Sequence, residues 1–298
     1  MEMHSDRILQ TNPLYFNKLL KYHNVEYSTA KGTLNYIKNF AEFNFLVDIN
    51  GIFSTLPSGD IIDRTKTIPL PFLMHIDRPW LVPYENKYTF SDCMNLRTQE
   101  LLATNNIINL LWSGGIDSTA AVVGFLKHCT NLSQIRILYS TYSIKENPYF
   151  FLLLNSIKNL ELIEFSGDVY LNQNFDGIFI TGDGADDLTA SLDQSFLDEH
   201  GYQGCQSNWT DLFYKKTKNT DFVNFCEMYN ILSGRSITTV LEARWWFYTN
   251  SKIQKFPALA NKILQPNQPL ALGFFDARVF ENYMFFNLDK IMPNKNYT

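Results

Sequence analysis

Residues 107–119 read IINLLWSGGIDST, a short apolar run that leads directly into two glycines, three hydroxyl side chains and one carboxylate. Glycine lets a backbone approach a ligand closely, and backbone N–H groups at the start of a helix bind anions. Ser113, Ser118 and Thr119 add hydroxyl donors. Asp117 would repel an anion unless a divalent cation lies between them, and phosphate oxygens with a carboxylate are the usual surroundings of Mg²⁺. The stretch therefore predicts a site for a phosphate group with magnesium.

A second apolar run enters a glycine-rich turn at residues 177–188, which read GIFITGDGADDL. Asp183, Asp186 and Asp187 place three carboxylates within five residues. A metal ion or ordered donors would relieve their mutual repulsion. If both runs are strands of one parallel sheet, their carboxyl ends open onto one crevice, where such sheets bind ligands. Asp117 and Asp186 are then predicted to share the magnesium ion. The alternative is an acidic turn that is only capped, or that resembles a calcium loop.

Apolar runs and helical patterns alternate through the middle of the chain, as they do in a parallel α/β sheet. Four strands are predicted, at 107–112, 134–140, 160–166 and 175–181. Helices are predicted at 91–104 with Ser91 as N-cap, from about Asp117, and at 147–159 with Pro148 in the first turn. After Asp187 strand signals fade and helical segments dominate. We therefore expect an α/β domain at 91–298, with a parallel sheet, flanking helices and a helical C-terminal part.

Residues 1–90 are predicted to form a small mixed α+β segment of their own. Two apolar runs joined across Asn50-Gly51 indicate a hairpin, since this dipeptide is a strong turn signal. Residues 64–83 hold four prolines and are predicted to be an extended connector. The role of the segment is left open.

Composition narrows the class of protein. The net charge is −5, so no broad basic field favours binding to nucleic acid. The cysteines form no Cys-x-x-Cys pair, which argues against a zinc or iron–sulfur site. No apolar run is long enough to span a membrane. These features predict a reduced, soluble, cytoplasmic protein without a membrane partner.

The loop at 113–118 resembles the Ser-Gly-Gly-x-Asp-Ser loop of the PP-loop ATP pyrophosphatase superfamily, which holds the pyrophosphate of ATP. The Gly-x-x-x-x-Gly-Lys of a Walker A loop is absent. TGDGADD resembles a second loop found in the synthetase domains of asparagine synthetases and β-lactam synthetases. The resemblance assigns Asp186 to magnesium and Asp183 to catalysis. Asp183 departs from the family, because a longer Glu or Tyr stands at that place.

A third resemblance lies at 240–250, VLEARWWFYTN, which is similar to the family's helical Val-Glu-Ala-Arg-Val-Pro-Phe-Leu-Asp segment. It implies that Glu242 orients the catalytic base, although Trp245-Trp246 replace Val-Pro. The alternative is a core helix with an ordinary Glu/Arg surface pair. The family also uses a lysine on a C-terminal loop, for which Lys290 and Lys295 are candidates that the sequence does not separate.

The resemblance implies an ATP-dependent carbon–nitrogen ligase that forms AMP and pyrophosphate. A substrate carboxylate would become an acyl-adenylate, and ammonia or an amine would then attack it. Adenine is expected near 137–143. The ATP-contacting residues are then Ser113, Gly114, Gly115, Asp117, Ser118, Thr119, Tyr139, Ser140 and Gly182. Candidates for the acceptor pocket are Tyr142, Glu146, Trp245 and Tyr248.

The glutaminase domain of glutamine-dependent asparagine synthetases has no counterpart here. Their nucleophilic cysteine follows the initiator methionine, whereas this chain has Glu2 there and no cysteine before Cys93. Ammonia would therefore come from solution or from a separate glutaminase. Two alternatives stay open: a PP-loop enzyme that modifies nucleic-acid bases, and a pseudo-enzyme that binds a nucleotide without turnover.

Overall fold

The computed structural model describes ten stretches of the chain, at 54–55, 61–62, 64–65, 78–85, 87–165, 175–188, 194–218, 220–251, 253–254 and 271–288. The predicted hairpin turn at Asn50-Gly51, most of the proline-rich connector, and both candidate lysines, Lys290 and Lys295, lie outside the described residues. Those expectations therefore stay predictions.

The chain divides into two compact units. The first, here called the sheet unit, takes the described residues of Glu85–Asp186 and Phe256–Phe286. The second, here called the helical unit, takes those of Met1–Tyr84, Asp187–Lys255 and Asn287–Thr298. This grouping differs from the predicted division into 1–90 and 91–298, because residues 187–255 group with the N-terminal part and not with the sheet.

Two strands of two residues each, β1 Ser54–Thr55 and β2 Ile61–Ile62, pair antiparallel in the helical unit. The sheet unit holds a sheet with the strands β3 Ile108–Leu111, β4 Ile135–Tyr139, β5 Glu161–Glu164, β6 Ile178–Thr181 and β7 Ala271–Gly273. These strands are all parallel and lie in the order β5-β4-β3-β6-β7. The predicted α/β class with a parallel sheet is confirmed. The fifth strand is a correction to the expectation that strands end near residue 187.

Helices flank the sheet and make up most of the described residues of the helical unit. They are α1 Phe90–Leu102, α2 Ile116–His128, α3 Thr141–Glu146, α4 Pro148–Ser156, α5 Ala185–Leu188, α6 Gln194–Gln206, α7 Trp209–Thr217, α8 Thr220–Ile231, α9 Val240–Ser251 and α10 Arg278–Asn287. A 3₁₀ turn covers Leu132–Gln134. The prediction of Ser91 as N-cap was wrong. The Thr89 Oγ1 accepts from the Asp92 amide and the Asp92 Oδ2 accepts from the Thr89 amide, so a capping box starts α1 two residues earlier.

The central strand β3 is the strand from which the sheet extends in both directions. Ile108 and Leu110 are buried, and the polar Asn109 between them is accommodated because its Nδ2 donates to the carbonyl of Asp176 at 2.7 Å. From β3 the chain adds β4 and β5 on one side, then returns to add β6 on the other. The topological switch point therefore lies between the paired strands β3 and β6. Sheets of this kind bind ligands at this point, beyond the carboxyl ends of the strands.

The helical unit has an aromatic core. The ring centroids of Trp80 and Trp246 lie 5.2 Å apart at an interplanar angle of 76°, and Tyr229 stacks on Phe247 with centroids 5.4 Å apart. Such pairs stabilise beyond the apolar area they bury. Among the residues described, no helix is both long and apolar enough to cross a bilayer.

Candidate functional site

Strand register brings the two glycine-rich loops side by side. Leu111 at the end of β3 pairs with Thr181 at the end of β6, so both loops leave the sheet at the same level. Gly182 packs directly on the start of α2: a Cβ atom added to Gly182 would lie 2.5 Å from the Ser118 nitrogen and 2.6 Å from the Ser118 Cα. The loop at 113–118 and the turn after β6 therefore form one surface within the sheet unit.

The start of α2 is an uncapped helix N-terminus. Gly115 is the N-cap residue and makes no side-chain cap hydrogen bond. By contrast, Thr89, Ser140, Asn147 and Asn208 cap α1, α3, α4 and α7 with side-chain oxygens. The first amides of a helix lack intrahelical acceptors, and the helix dipole favours an anion beside them. The first turn of α2 is therefore suited to an incoming anion.

Two hydroxyl groups of the loop are used to hold its shape. The Ser118 Oγ accepts from the Ser113 amide at 3.2 Å and donates to the Gly115 carbonyl at 3.1 Å. The Thr119 Oγ1 accepts from the Trp112 indole Nε1 at 3.0 Å. Both side chains were predicted to contact ATP directly. In this arrangement they brace the loop, and so does the exposed Ser113, whose Oγ accepts from the Gly115 amide at 3.3 Å and lies 2.9 Å from the Ser118 Oγ.

Three carboxylates converge next to this helix start. Burial, followed by the negative charges of Asp186 and Asp183, raises the pKa of Asp117 to about 6. Asp183 and Asp186 themselves are exposed. The structure therefore brings together Asp117, Asp183 and Asp186, as predicted from their positions after two neighbouring strands. The side chain of Asp187 is outside those described.

The aspartates fit a magnesium ion that arrives with a phosphate ligand. Within the described part of the chain, no three His, Cys, Asp or Glu side chains are grouped so as to hold a metal ion by themselves. Mg²⁺ does not need such a cage, because it takes one or two carboxylates and completes its octahedron with phosphate oxygens and water. Burial contributes most to the raised pKa of Asp117, and the neighbouring charges of Asp186 and Asp183, which a cation would offset, add to it.

The region where adenine is expected runs from a strand into a short helix. Residues 141–143 do not extend the strand; they begin α3, and Ser140 caps that helix in a capping box with Ser143. The Ser140 hydroxyl, amide and carbonyl are all engaged within this cap, since the amide donates to the Ser143 Oγ at 3.1 Å and the carbonyl accepts from the Ile144 amide at 3.2 Å. The Tyr139 ring lies against Phe151, with centroids 4.8 Å apart. An adenine contact at Tyr139 and Ser140 stays a prediction.

Glu242 is held by five hydrogen bonds inside the helical unit. Its Oε1 accepts from Arg235 at 2.9 Å, and its Oε2 accepts from the amides and hydroxyls of Thr238 and Thr239 at 2.8–3.2 Å. The Glu242 amide donates back to the Thr239 hydroxyl, which completes a capping box for α9. Burial would raise the pKa of Glu242, but these donors and the Arg235 charge outweigh it and lower the pKa overall. A role in orienting a base stays a prediction.

Replacing Glu242 with alanine is expected to destabilise the protein by about 1–2 kcal/mol at pH 7, the usual cost of losing a helix cap. The fold lowers the pKa of Glu242, so the ionised carboxylate stabilises the folded state at pH values above the ordinary pKa of 4.5. That contribution disappears as the pH falls through the lower, folded-state pKa. Chemical denaturation at pH 7 and pH 3 measures both effects. Glu227→Ala, an exposed glutamate on α8, is the matched control, and equal losses in the two variants would contradict the capping role.

The predicted acceptor pocket is only partly compatible with the structure. Trp245 and Tyr248 are buried in the core of the helical unit, at 0% and 4% exposure, so their side chains pack and do not line an open pocket. Tyr142 is 79% exposed on α3. Glu146, also exposed, ends α3 beside the loop: a Cβ added to Gly114 would lie 2.6 Å from the Glu146 Cβ.

Sequence reasoning missed the part that α3 plays beside the loop. Ser143 and Glu146 both contact the Gly114 region, yet no glycine or charge pattern marks them. The capping box of α9 did leave a signal, since Thr239 and Glu242 have the Thr-x-x-Glu spacing.

Compared with known proteins, the chain matches no protein-family model and no curated protein sequence. Function is therefore argued from the site itself. The features available are an uncapped helix start, a positive-φ glycine loop and converging aspartates, all at the switch point of a parallel sheet.

Proposed function

We propose that the protein is an ATP-dependent carbon–nitrogen ligase that forms AMP and pyrophosphate and activates a substrate carboxylate as an acyl-adenylate. One observation carries the proposal. Gly182 packs against the backbone of Asp117 and Ser118, which joins an uncapped helix start and the aspartate turn into one site. A site with anion donors on one side and carboxylates on the other suits a triphosphate carried with a divalent cation.

The pyrophosphate end of ATP would bind at the start of α2. The backbone amides of the first turn of α2 would face the charge that develops on the leaving pyrophosphate. Preorganised donors of this kind lower the barrier because they need no rearrangement as the charge appears. Ser118 and Thr119 contribute by keeping the loop in shape through the hydrogen bonds described above.

Asp117 and Asp186 would hold the magnesium ion of the nucleotide. When bound, the ion offsets negative charge on the phosphates and on the leaving group. The two aspartates also orient the phosphate chain with respect to the helix start, because they lie on the two loops that meet there.

The reaction has two balanced steps. An oxygen of the substrate carboxylate bonds to the α-phosphorus, and the bond to the β-phosphate oxygen breaks, releasing pyrophosphate. Ammonia or an amine then bonds to the acyl carbon, AMP leaves, and the nitrogen loses a proton. Asp183, exposed beside Asp117, is the proposed acceptor of that proton. Ammonia is supplied from solution or by a separate glutaminase.

ATP–pyrophosphate exchange tests the proposal. The full chain is incubated with MgATP, labelled pyrophosphate and a panel of amino acids and other carboxylates. We expect label to enter ATP only with particular acids, because exchange requires a reversible adenylate. The same mixture without magnesium should show no exchange.

Two results would count against the ligase. Exchange that needs added tRNA or DNA and no free acid would favour the base-modifying enzyme instead. Binding of MgATP without exchange under any condition would favour the nucleotide-binding pseudo-enzyme. Formation of AMP separates both enzymes from the pseudo-enzyme.

A further inference from the structure

We infer that the short helix α3 fixes the conformation of residues 113–118, here called the pyrophosphate loop. Ser143 is the positioning residue through which α3 acts. The inference rests on the proposed nucleotide site and goes beyond it, because Ser143 lies after β4 and outside both glycine-rich loops. Its side chain does not need to touch ATP.

Ser143 interrupts the hydrogen-bond ladder between β3 and β4. The Trp112 amide donates to the Leu138 carbonyl at 2.9 Å, which is the last direct bond of this ladder. In a parallel pair the next bond would run from the Ser140 amide to the Trp112 carbonyl. Instead, the Ser140 amide donates to the Ser143 Oγ at 3.1 Å, and that hydroxyl donates to the Trp112 carbonyl at 2.7 Å. One buried hydroxyl is inserted where the strands would otherwise stay joined.

The insertion comes immediately before the loop. Trp112 is the residue that precedes Ser113, so its carbonyl decides the direction in which the loop leaves the sheet. The Trp112 indole meanwhile donates to Thr119 on the first turn of α2. Trp112 is thus held from both ends, by Ser143 through its backbone and by Thr119 through its side chain.

The same helix also limits the conformation of the loop glycine. Gly114 has a φ of +93°, a backbone angle that residues with a Cβ atom rarely adopt. A Cβ at this position would lie 2.5 Å from the Ser143 carbonyl oxygen and 2.6 Å from the Glu146 Cβ. The backbone of α3 therefore packs against the Gly114 Cα, and the loop cannot move towards it.

Ser143 is 2% exposed, so the loss of its hydroxyl would not be replaced freely by water. Its removal leaves the Trp112 carbonyl without its donor and the Ser140 amide without its acceptor. Unpaired buried polar groups are costly, and the strands would shift to repair them. The expected consequence is a displaced pyrophosphate loop in a protein that is otherwise folded.

The test measures binding of three ligands by Ser143→Ala. Magnesium pyrophosphate, MgATP and AMP are titrated into the full chain, and folding is checked by thermal melting. We expect pyrophosphate and ATP to bind about tenfold more weakly, the effect of one lost hydrogen bond, while the affinity for AMP changes less than about twofold. A role in stability alone would not separate the ligands in this way.

Ser156→Ala is the matched control. The Ser156 Oγ also donates to a backbone carbonyl at 2.7 Å, but it lies exposed at the end of α4. We expect it to leave all three affinities unchanged. Ser143→Thr keeps the hydroxyl and should restore pyrophosphate binding, which tests the inference even if the alanine variant folds poorly.

Equal weakening of AMP and pyrophosphate would overturn the inference, and so would unchanged pyrophosphate binding in Ser143→Ala. Failure of the wild-type chain to bind pyrophosphate would also overturn it. Failure of the ligase proposal is read separately, because it appears as absence of acid-dependent exchange in a wild-type chain that still binds pyrophosphate.

Discussion

Replacing Asp117 with asparagine is expected to reduce ATP–pyrophosphate exchange by about 1,000-fold or more, since it removes a proposed ligand of the ion that offsets the leaving-group charge. Asparagine has nearly the same shape, so the loop should keep its structure. Exchange rates at saturating MgATP measure the loss. Asp211→Asn, on the exposed first turn of α7, is the control and should exchange normally. Exchange in Asp117→Asn within tenfold of the wild type would contradict the assignment.

The same substitution is expected to stabilise the unliganded protein. The folded pKa of Asp117 is raised from 3.8 to about 6, so the fold disfavours the charged carboxylate at neutral pH. Stability due to this group is lost as the pH rises from the unfolded to the folded pKa, and it returns on acidification. After allowance for partial solvent screening, we expect Asp117→Asn to be more stable by about 1 kcal/mol at pH 7. The gain should vanish near pH 4, and denaturant titrations at the two pH values measure it.

Replacing Gly182 with alanine is expected to weaken MgATP binding by about 100-fold or more, because a contact with backbone atoms cannot be relieved by a rotamer change. The added Cβ would lie 2.5 Å from the Ser118 nitrogen, so the aspartate turn and the start of α2 must move apart. Calorimetric titration of MgATP measures the loss.

Gly115→Ala provides the comparison in the same loop. Gly115 has φ −65°, and an added Cβ would lie 3.4 Å from the Ser113 Oγ, an ordinary contact. We expect this variant to bind MgATP within about tenfold of the wild type, because neither backbone nor packing is strained. Similar losses in the two variants would show that the close approach at Gly182 does not join the loops.

The parts of the site that the sequence predicted are those with short-range signals. The apolar run before Ser113, the paired glycines and the crowded aspartates mark strand ends and turns directly. Their meeting followed from one further rule, that parallel strands end at one edge. Asp117, Asp183 and Asp186 could therefore be grouped without coordinates.

The parts that were missed depend on contacts between distant residues or on very short elements. Strand β7 has three residues, too few to show a pattern, and its pairing with β6 is set by the tertiary fold. Helix α3 has six residues and continues an apolar strand without a break that the sequence reveals. Trp245 carries no sign that it is buried, because aromatic residues occur both in cores and in pockets.

The position of strand β7 near the end of the chain determines when the sheet can be completed during synthesis. It pairs with β6 across a separation of about 90 residues, and the Phe274 amide donates to the carbonyl of Thr181, the last residue before the aspartate turn. Until the ribosome has released residues 271–274, β6 is an open edge strand with unpaired amides and the apolar Phe179 beside them. Such edges attract other chains, and pairings of high contact order form slowly. The edge of the sheet that carries the proposed nucleotide site is therefore completed late in biosynthesis, and before that point β6 is exposed to pairing with other chains.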